Sequence, residues 1–136
     1  NIVFLVDMDT RSLLYCNPQT ETVLGYTPDE MRAMGPELGR LMHGEDLVAS
    51  LRKQRQLALL ADGQSVSSEY RFQHRDGSWR WLHLKSTCFM RHPDGRVWQL
   101  VGSATDVTER RNTEEQLRQS RLLVERVTDT TPNLIY

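Results

Sequence analysis

Between residues 65 and 108 three apolar-aromatic runs show polar and apolar side chains alternating with period two, the signature of strands. In the first run Val66, Ser68, Tyr70 and Phe72 share one face, while Glu69 and Arg71 share the other. In the second, Arg80, Leu82, Leu84, Ser86 and Cys88 alternate with Trp79, Trp81, His83, Lys85 and Thr87. In the third, Trp98, Leu100, Gly102 and Ala104 alternate with Val97, Gln99, Val101 and Ser103. Asp76-Gly77 and Asp94-Gly95 separate the runs. Asp-Gly favours the positive backbone angles of tight hairpins. The pattern predicts a three-stranded antiparallel meander with a charged helix leaving its last strand. Large apolar side chains on both faces predict that both are at least partly covered.

Upstream, residues 2–6 and 12–16 read as two short strands joined by a turn. Asn17-Pro18 reads as the cap and first position of a helix that ends at Gly25. Thr27 and Glu30 form a capping box for a second short helix, broken at Gly35-Pro36. Residues 37–41 suit a single turn. A longer helix is expected over 46–60, with Leu47, Leu51, Leu57 and Ala58 inward and Arg52, Lys53 and Arg55 facing water. Strands, short helices, one longer helix and a meander make an α+β layout.

A chain of 136 residues with 38% hydrophobic positions accommodates one ordinary domain and an appendage. The formal net charge of -1 gives no reason to expect nucleic acid or an anionic membrane as partner. No apolar run is long enough to span a bilayer. Cys16 and Cys88 lack metal-ligand spacing and read as free thiols of a reducing cytoplasm. The chain opens on a strand without Met and closes on Leu134-Ile135-Tyr136, which reads as a segment of a longer protein.

The pieces NIVFLVDMDT, LLYCNPQTETVLGYTPDEM, LMHGEDL, EYRFQHRDGSWRW and GSATDVTERR, in that order, resemble a PAS domain with its PAC segment, a sensory box. The resemblance covers residues 1–111. It implies a five-stranded antiparallel sheet in the order 2-1-5-4-3, with helices on one face enclosing a small cavity. The expected division is a sensory domain over 1–108, a linker helix over 109–128 and, from VERVTDTTPNLIY, the start of a second PAS domain over 129–136.

Candidate chemistry is sparse. His43, His74, His83 and His92 show no metal-binding spacing. His43 suits a capping or packing role before an acidic helix start, and His74 and His92 flank the turns and are expected in water. No nucleophile-base pair, phosphate-cradling loop or phosphoacceptor motif is visible, so the segment itself is not read as an enzyme. Haem-binding PAS domains resemble one another in ligating iron through a His on the long helix, and residues 45–61 contain none. Flavin-binding relatives of the LOV type carry an Asn-Cys-Arg motif and sheet amides, where this chain has GYTPDEMRAMGPELGRL and Phe72, Leu82 and Ala104. Haem and flavin are both disfavoured. Tyr70, Phe72, Leu82, Leu84, Leu100 and Ala104 remain as the lining of a possible apolar pocket, with Tyr70 and Ser86 as polar contacts. The plainer alternative, that these residues simply fill a core, is the one the sequence favours.

Asp106, Val107, Thr108 and Arg110 resemble the DIT-ER junction through which PAS domains couple their sheet to an output helix. Either Asp106 or Thr108 suits an N-cap there. Thr113, Leu117, Ser120, Val124 and Val127 then follow at alternating four- and three-residue steps, a short heptad seam. The expected role is a cytoplasmic sensory and dimerisation module in signal transduction, within a sensor histidine kinase of a two-component phosphorelay or a diguanylate cyclase. Its partners would be a second copy and neighbouring domains of the same chain, with no membrane insertion. The alternatives are a constitutive interaction module without ligand, and a cofactor-bearing redox or gas sensor.

Overall fold

The computed structural model describes the backbone of residues 1–130 and the side chains of residues 1–126. The expectations for residues 131–136 and for the Val127 side chain lie outside the described residues. Five strands, β1 (Ile2–Asp7), β2 (Ser12–Cys16), β3 (Ser65–Gln73), β4 (Trp79–Arg91) and β5 (Val97–Asp106), form one antiparallel sheet in the order β2-β1-β5-β4-β3. Between β2 and β3 lie α1 (Gln19–Leu24), α2 (Pro28–Ala33), a 3-10 helix (Gly35–Leu41), α3 (Gly44–Arg52) and α4 (Gln54–Ala58). The chain divides after Asp106 into two compact units, and the second contains α5 (Thr108–Thr130), which runs past the expected end at 128.

The two hairpins of the meander close alike. His74 N–H donates to Ser78 O and Gly77 N–H to His74 O, and His92, Arg96 and Gly95 repeat the pattern. Gly77 and Gly95 both hold φ of 92°, while the preceding Asp residues keep negative φ. Each loop is therefore a turn followed by one left-handed glycine rather than the doubly positive Asp-Gly turn. Asp76 Oδ1 accepts from Ser78 Oγ and from Ser78 N, and Asp94 accepts from Arg96 N and then from Arg96 Nε; these bonds hold both carboxyls below their ordinary range.

Several local expectations need correction. Asn17 does not cap α1; its side chain accepts from Val3 N at 3.0 Å and donates to Asn1 O, tying the end of β2 to β1. The long helix is two helices broken at Lys53, whose N–H turns to the carbonyls of Ser50 and Leu51. The region after Gly35 is a 3-10 helix of seven residues, not a single turn. His74 and His92 are largely covered rather than solvated, at 19% and 24% side-chain exposure. His74 lies against Asp76, and His92 stacks on Trp98 with Asp9 2.8 Å from its Nε2, out of line for a hydrogen bond.

The capping box at α2 forms in full, with Thr27 Oγ1 accepting from Glu30 N and Glu30 Oε1 from Thr27 N. Helix α1 stops at left-handed Gly25, φ 82°. One apolar cluster gathers Ile2, Leu13, Cys16, Leu24, Met31, Leu82 and Ala104 between sheet and helices. A second gathers Leu60, Val97 and Leu100. Val97 and Leu100 reach one cluster although strict alternation separates them, because the β4–β5 register shifts between Cys88 and Arg91. On the opposite face of the meander Trp81 and Val101 are half-buried and Trp79 is 42% exposed, the partial cover expected.

Candidate functional site

The sheet and the helices form a half-open cavity of about 520 Å³. Its floor is the inner face of the sheet, and all seven pocket residues expected from the sequence line it: Tyr70, Phe72, Leu82, Leu84, Ser86, Leu100 and Ala104. Strand pairing explains why they meet. Ser68 stands opposite Leu84 and Leu84 opposite Ala104; Tyr70 stands opposite Leu82; Ser86 stands opposite Gly102 and Cys88 opposite Leu100. The roof comes from short helices, with Leu24, Met31, Leu38, Leu47 and Leu57 facing down. Cys16 also lines the cavity, and burial pushes its thiol up, against a hydrogen bond from Thr20 and the charge of Arg32. It is thus held as a neutral thiol.

Lys53 and Ser68 line the cavity as well, and the water-facing assignment of Lys53 is wrong. Its Nζ donates to Ser68 Oγ at 2.7 Å. The sequence held a usable signal: Ser50, Lys53 and Leu57 fall at three- and four-residue steps. The helical phase, and not the charge of the side chain, sets the direction of Lys53.

The roof is fastened to the sheet by an ion pair. Asp46 Oδ2 accepts from Arg71 N at 2.7 Å and from Arg71 Nε at 2.9 Å, and Asp46 Oδ1 accepts from Arg71 Nη2 at 3.0 Å. The Arg71 guanidinium also lies 5.0 Å from the Trp81 ring centroid. His43 Nδ1 accepts from Glu45 N at 3.3 Å, so the histidine caps α3, and its ring packs on Trp79. The hydrogen bonds from Arg71 hold the Asp46 carboxyl below its ordinary value of 3.8, against opposing burial. A carboxylate with a depressed folded pKa stabilises the fold above its unfolded pKa, and that contribution is lost as pH falls through the folded value. Below about pH 4 this fastening therefore weakens. Asp46→Asn is expected to lower stability at pH 7 by about 1.5–3 kcal/mol and to flatten the acid limb of the stability profile. Urea titrations from pH 7 to pH 3 measure both; an unaltered acid limb would show that the pair contributes nothing.

At the other end of the site β5 carries Leu100 and Ala104 along the cavity floor and ends at Asp106. Asp106 Oδ2 lies 3.7 Å from Arg80 Nη1 of β4. Val107 is buried, Thr108 opens α5, and Arg110 pairs along that helix with Glu114 at 3.7 Å. On α5 Leu117 and Val124 are 60% and 62% exposed.

The cavity wall also bears on cofactors. Phe72, Leu82 and Ala104 all line it, so hydrocarbon stands where a flavin ring would need hydrogen bonds. The part of the roof from α3 and α4 offers Leu47, Ser50, Leu51, Lys53, Gln54 and Leu57, none of them an imidazole. The residues present do not fit either group held in those ways. Among the described residues no three His, Cys, Asp or Glu side chains gather to hold a metal, and no helix is long and apolar enough to cross a membrane.

Comparison with known proteins agrees with this architecture. The sensory box histidine kinase/response regulator structure from Burkholderia thailandensis superposes with a TM-score of 0.71 at 25% identity, covering 92% of this chain and 90% of that one. The N-terminal domain of a diguanylate cyclase with PAS/PAC sensor from Marinobacter aquaeolei shares the fold, with a TM-score of 0.66, 24% identity and coverage of 81% and 97%. The uncharacterized protein y4lL of Sinorhizobium fredii is 28% identical over 112 residues, and the chain spans only 13% of its length. The family described as the PAS fold matches residues 13–104. The sheet order, the cavity floor and that match agree, and the chain belongs to the PAS-fold family.

Proposed function

We propose that this chain is a cytoplasmic sensory module that holds a small, mainly apolar molecule in its cavity and passes the state of that cavity to a downstream output domain through α5. The observation that carries the proposal is that one strand serves both ends. Strand β5 forms part of the cavity floor through Leu100 and Ala104 and runs directly into Asp106 and the helix that begins at Thr108. Tyr70, Phe72, Leu82, Leu84 and Ser86 complete the ligand floor, while Asp106, Val107, Thr108 and Arg110 form the transmitting junction. A ligand that shifts β5 changes the start of α5, and paired helices can pass that change on as a rotation or register shift.

The proposed organisation is a sensory domain over 1–108, a linker helix that continues to Thr130, and a further PAS domain beyond that helix. The open Leu117 and Val124 side chains support a dimer through the linker, with neighbouring domains of the same chain as the other partners. The output domain is a histidine kinase of a two-component phosphorelay or a diguanylate cyclase, the proteins in which the compared sensor domains occur. The segment senses and does not catalyse.

Freshly purified protein tests the cavity. It is expected to be colourless and to release a small apolar molecule on denaturation, detected by mass spectrometry against the native mass. A Soret or flavin band near stoichiometry would support a cofactor-bearing redox or gas sensor. A bare chain that also takes up no apolar compound would support a ligand-free interaction module.

A further inference from the structure

Lys53 stands where the roof helix breaks, and its side chain turns into the cavity. Among the described residues no carboxylate lies in ion-pair reach of its ammonium, which donates to the neutral Ser68 hydroxyl. The two acids that share the cavity lining are already engaged. Asp7 accepts from the Asp9 and Thr10 amides and from the Trp98 indole, and Glu37 pairs with Arg40 at 3.4 Å. An ammonium drawn partly out of water toward hydrocarbon is costly without a counter-charge. Ser68 stands opposite Leu84, and Leu84 opposite Ala104, so the ammonium is anchored at the β3 end of an apolar row of the floor.

We infer that the cavity takes an aliphatic carboxylate, its head group on Lys53 and Ser68 and its tail along Leu84 and Leu82. The inference rests on the proposed ligand-binding function and gives that ligand a chemical class. The carboxylate supplies the charge that Lys53 lacks and accepts from both the ammonium and the Ser68 hydroxyl, which are charge-assisted bonds. The tail covers leucine side chains that otherwise face the cavity.

Octanoate and its neutral counterpart 1-octanol, each titrated calorimetrically into the 136-residue chain, test this directly. Octanoate is expected to bind about tenfold more tightly than 1-octanol, the effect of one charge-assisted contact. Lys53→Met should erase that difference, and Lys53→Arg should retain it. Equal binding of the two probes by the natural chain, or a preference that survives Lys53→Met, overturns the inference and leaves the apolar pocket standing. Binding of neither probe overturns the inference and the ligand-holding function together. Melting curves establish that the variants are folded; should Lys53→Met not fold, the comparison of the probes on the natural chain and on Lys53→Arg decides.

Discussion

Leu82→Ala is expected to destabilise the domain by about 2–5 kcal/mol, the largest single-residue effect foreseen here. Leu82 is 2% exposed and belongs to the cluster that joins the sheet to α1 and α2 through Leu24 and Met31. It stands opposite Tyr70 on one side and Asp106 on the other, so its strand neighbours are fixed by ladders on both edges. The surroundings cannot collapse freely onto the lost methyls, and the cost of a residual cavity adds to the lost burial. Against a total stability of about 5–15 kcal/mol, such a loss lowers the melting temperature strongly. Because Leu82 also lines the ligand cavity, the variant should bind any apolar ligand differently. Urea unfolding checks the stability; a loss under about 1 kcal/mol would mean that the site repacks.

Gly102→Ala is the second large effect, and its cause is space and not backbone angle. A Cβ built on Gly102 would lie 2.3 Å from the Lys85 carbonyl oxygen and 2.7 Å from Phe4 Cζ. Real Cβ atoms do not approach backbone so closely, so strand β4 must move relative to β5. Phe4 is the partner of Gly102 across β1–β5, and its ring lines the cavity. The methyl is therefore expected to cost about 1–3 kcal/mol and to displace the Phe4 ring. Adding Phe4→Leu should recover part of the loss by freeing one of the two contacts. A Gly102→Ala chain as stable as the natural one would show that the β4–β5 ladder relaxes there at no cost.

How much of this was legible in the sequence depends on the kind of signal. Period-two alternation in residues 65–73 and 79–88 placed Tyr70, Phe72, Leu82, Leu84 and Ser86 on one face, where the structure has them. The Thr27–Glu30 capping box is local chemistry and appears as read. The sheet order came from family resemblance, since alternation alone does not order strands. The break at Lys53 was hidden because no Gly or Pro marks it. The shift between Cys88 and Arg91 was hidden because it arises in the pairing of two strands, and it is what brings Val97 beside Leu100. Asn17 looked like a cap because it precedes a helix, yet β1 lies close enough to claim its side chain. His92 looked solvated because it flanks a turn, while Trp98 and Asp9 close over it from distant parts of the chain. Residues 1–106 form one compact unit, and the helix beyond it continues to Thr130.

The central claim is that the strand-to-helix junction carries a signal and does not merely hold the fold. Asp106 is the residue on which this turns, since it ends the strand that floors the cavity and faces Arg80. A partly exposed ion pair of this kind contributes about 1 kcal/mol or less, so Asp106→Ala should leave the domain folded. The most direct measurement takes the parent protein with and without Asp106→Ala and records, on the same samples, the melting temperature and the basal and stimulated output activity. The expected result is a melting temperature within a few degrees of the natural protein together with a clear change in basal output or in its response. Unchanged output and response, accompanied by a lowered melting temperature, would contradict it and leave Asp106 as a structural contact only.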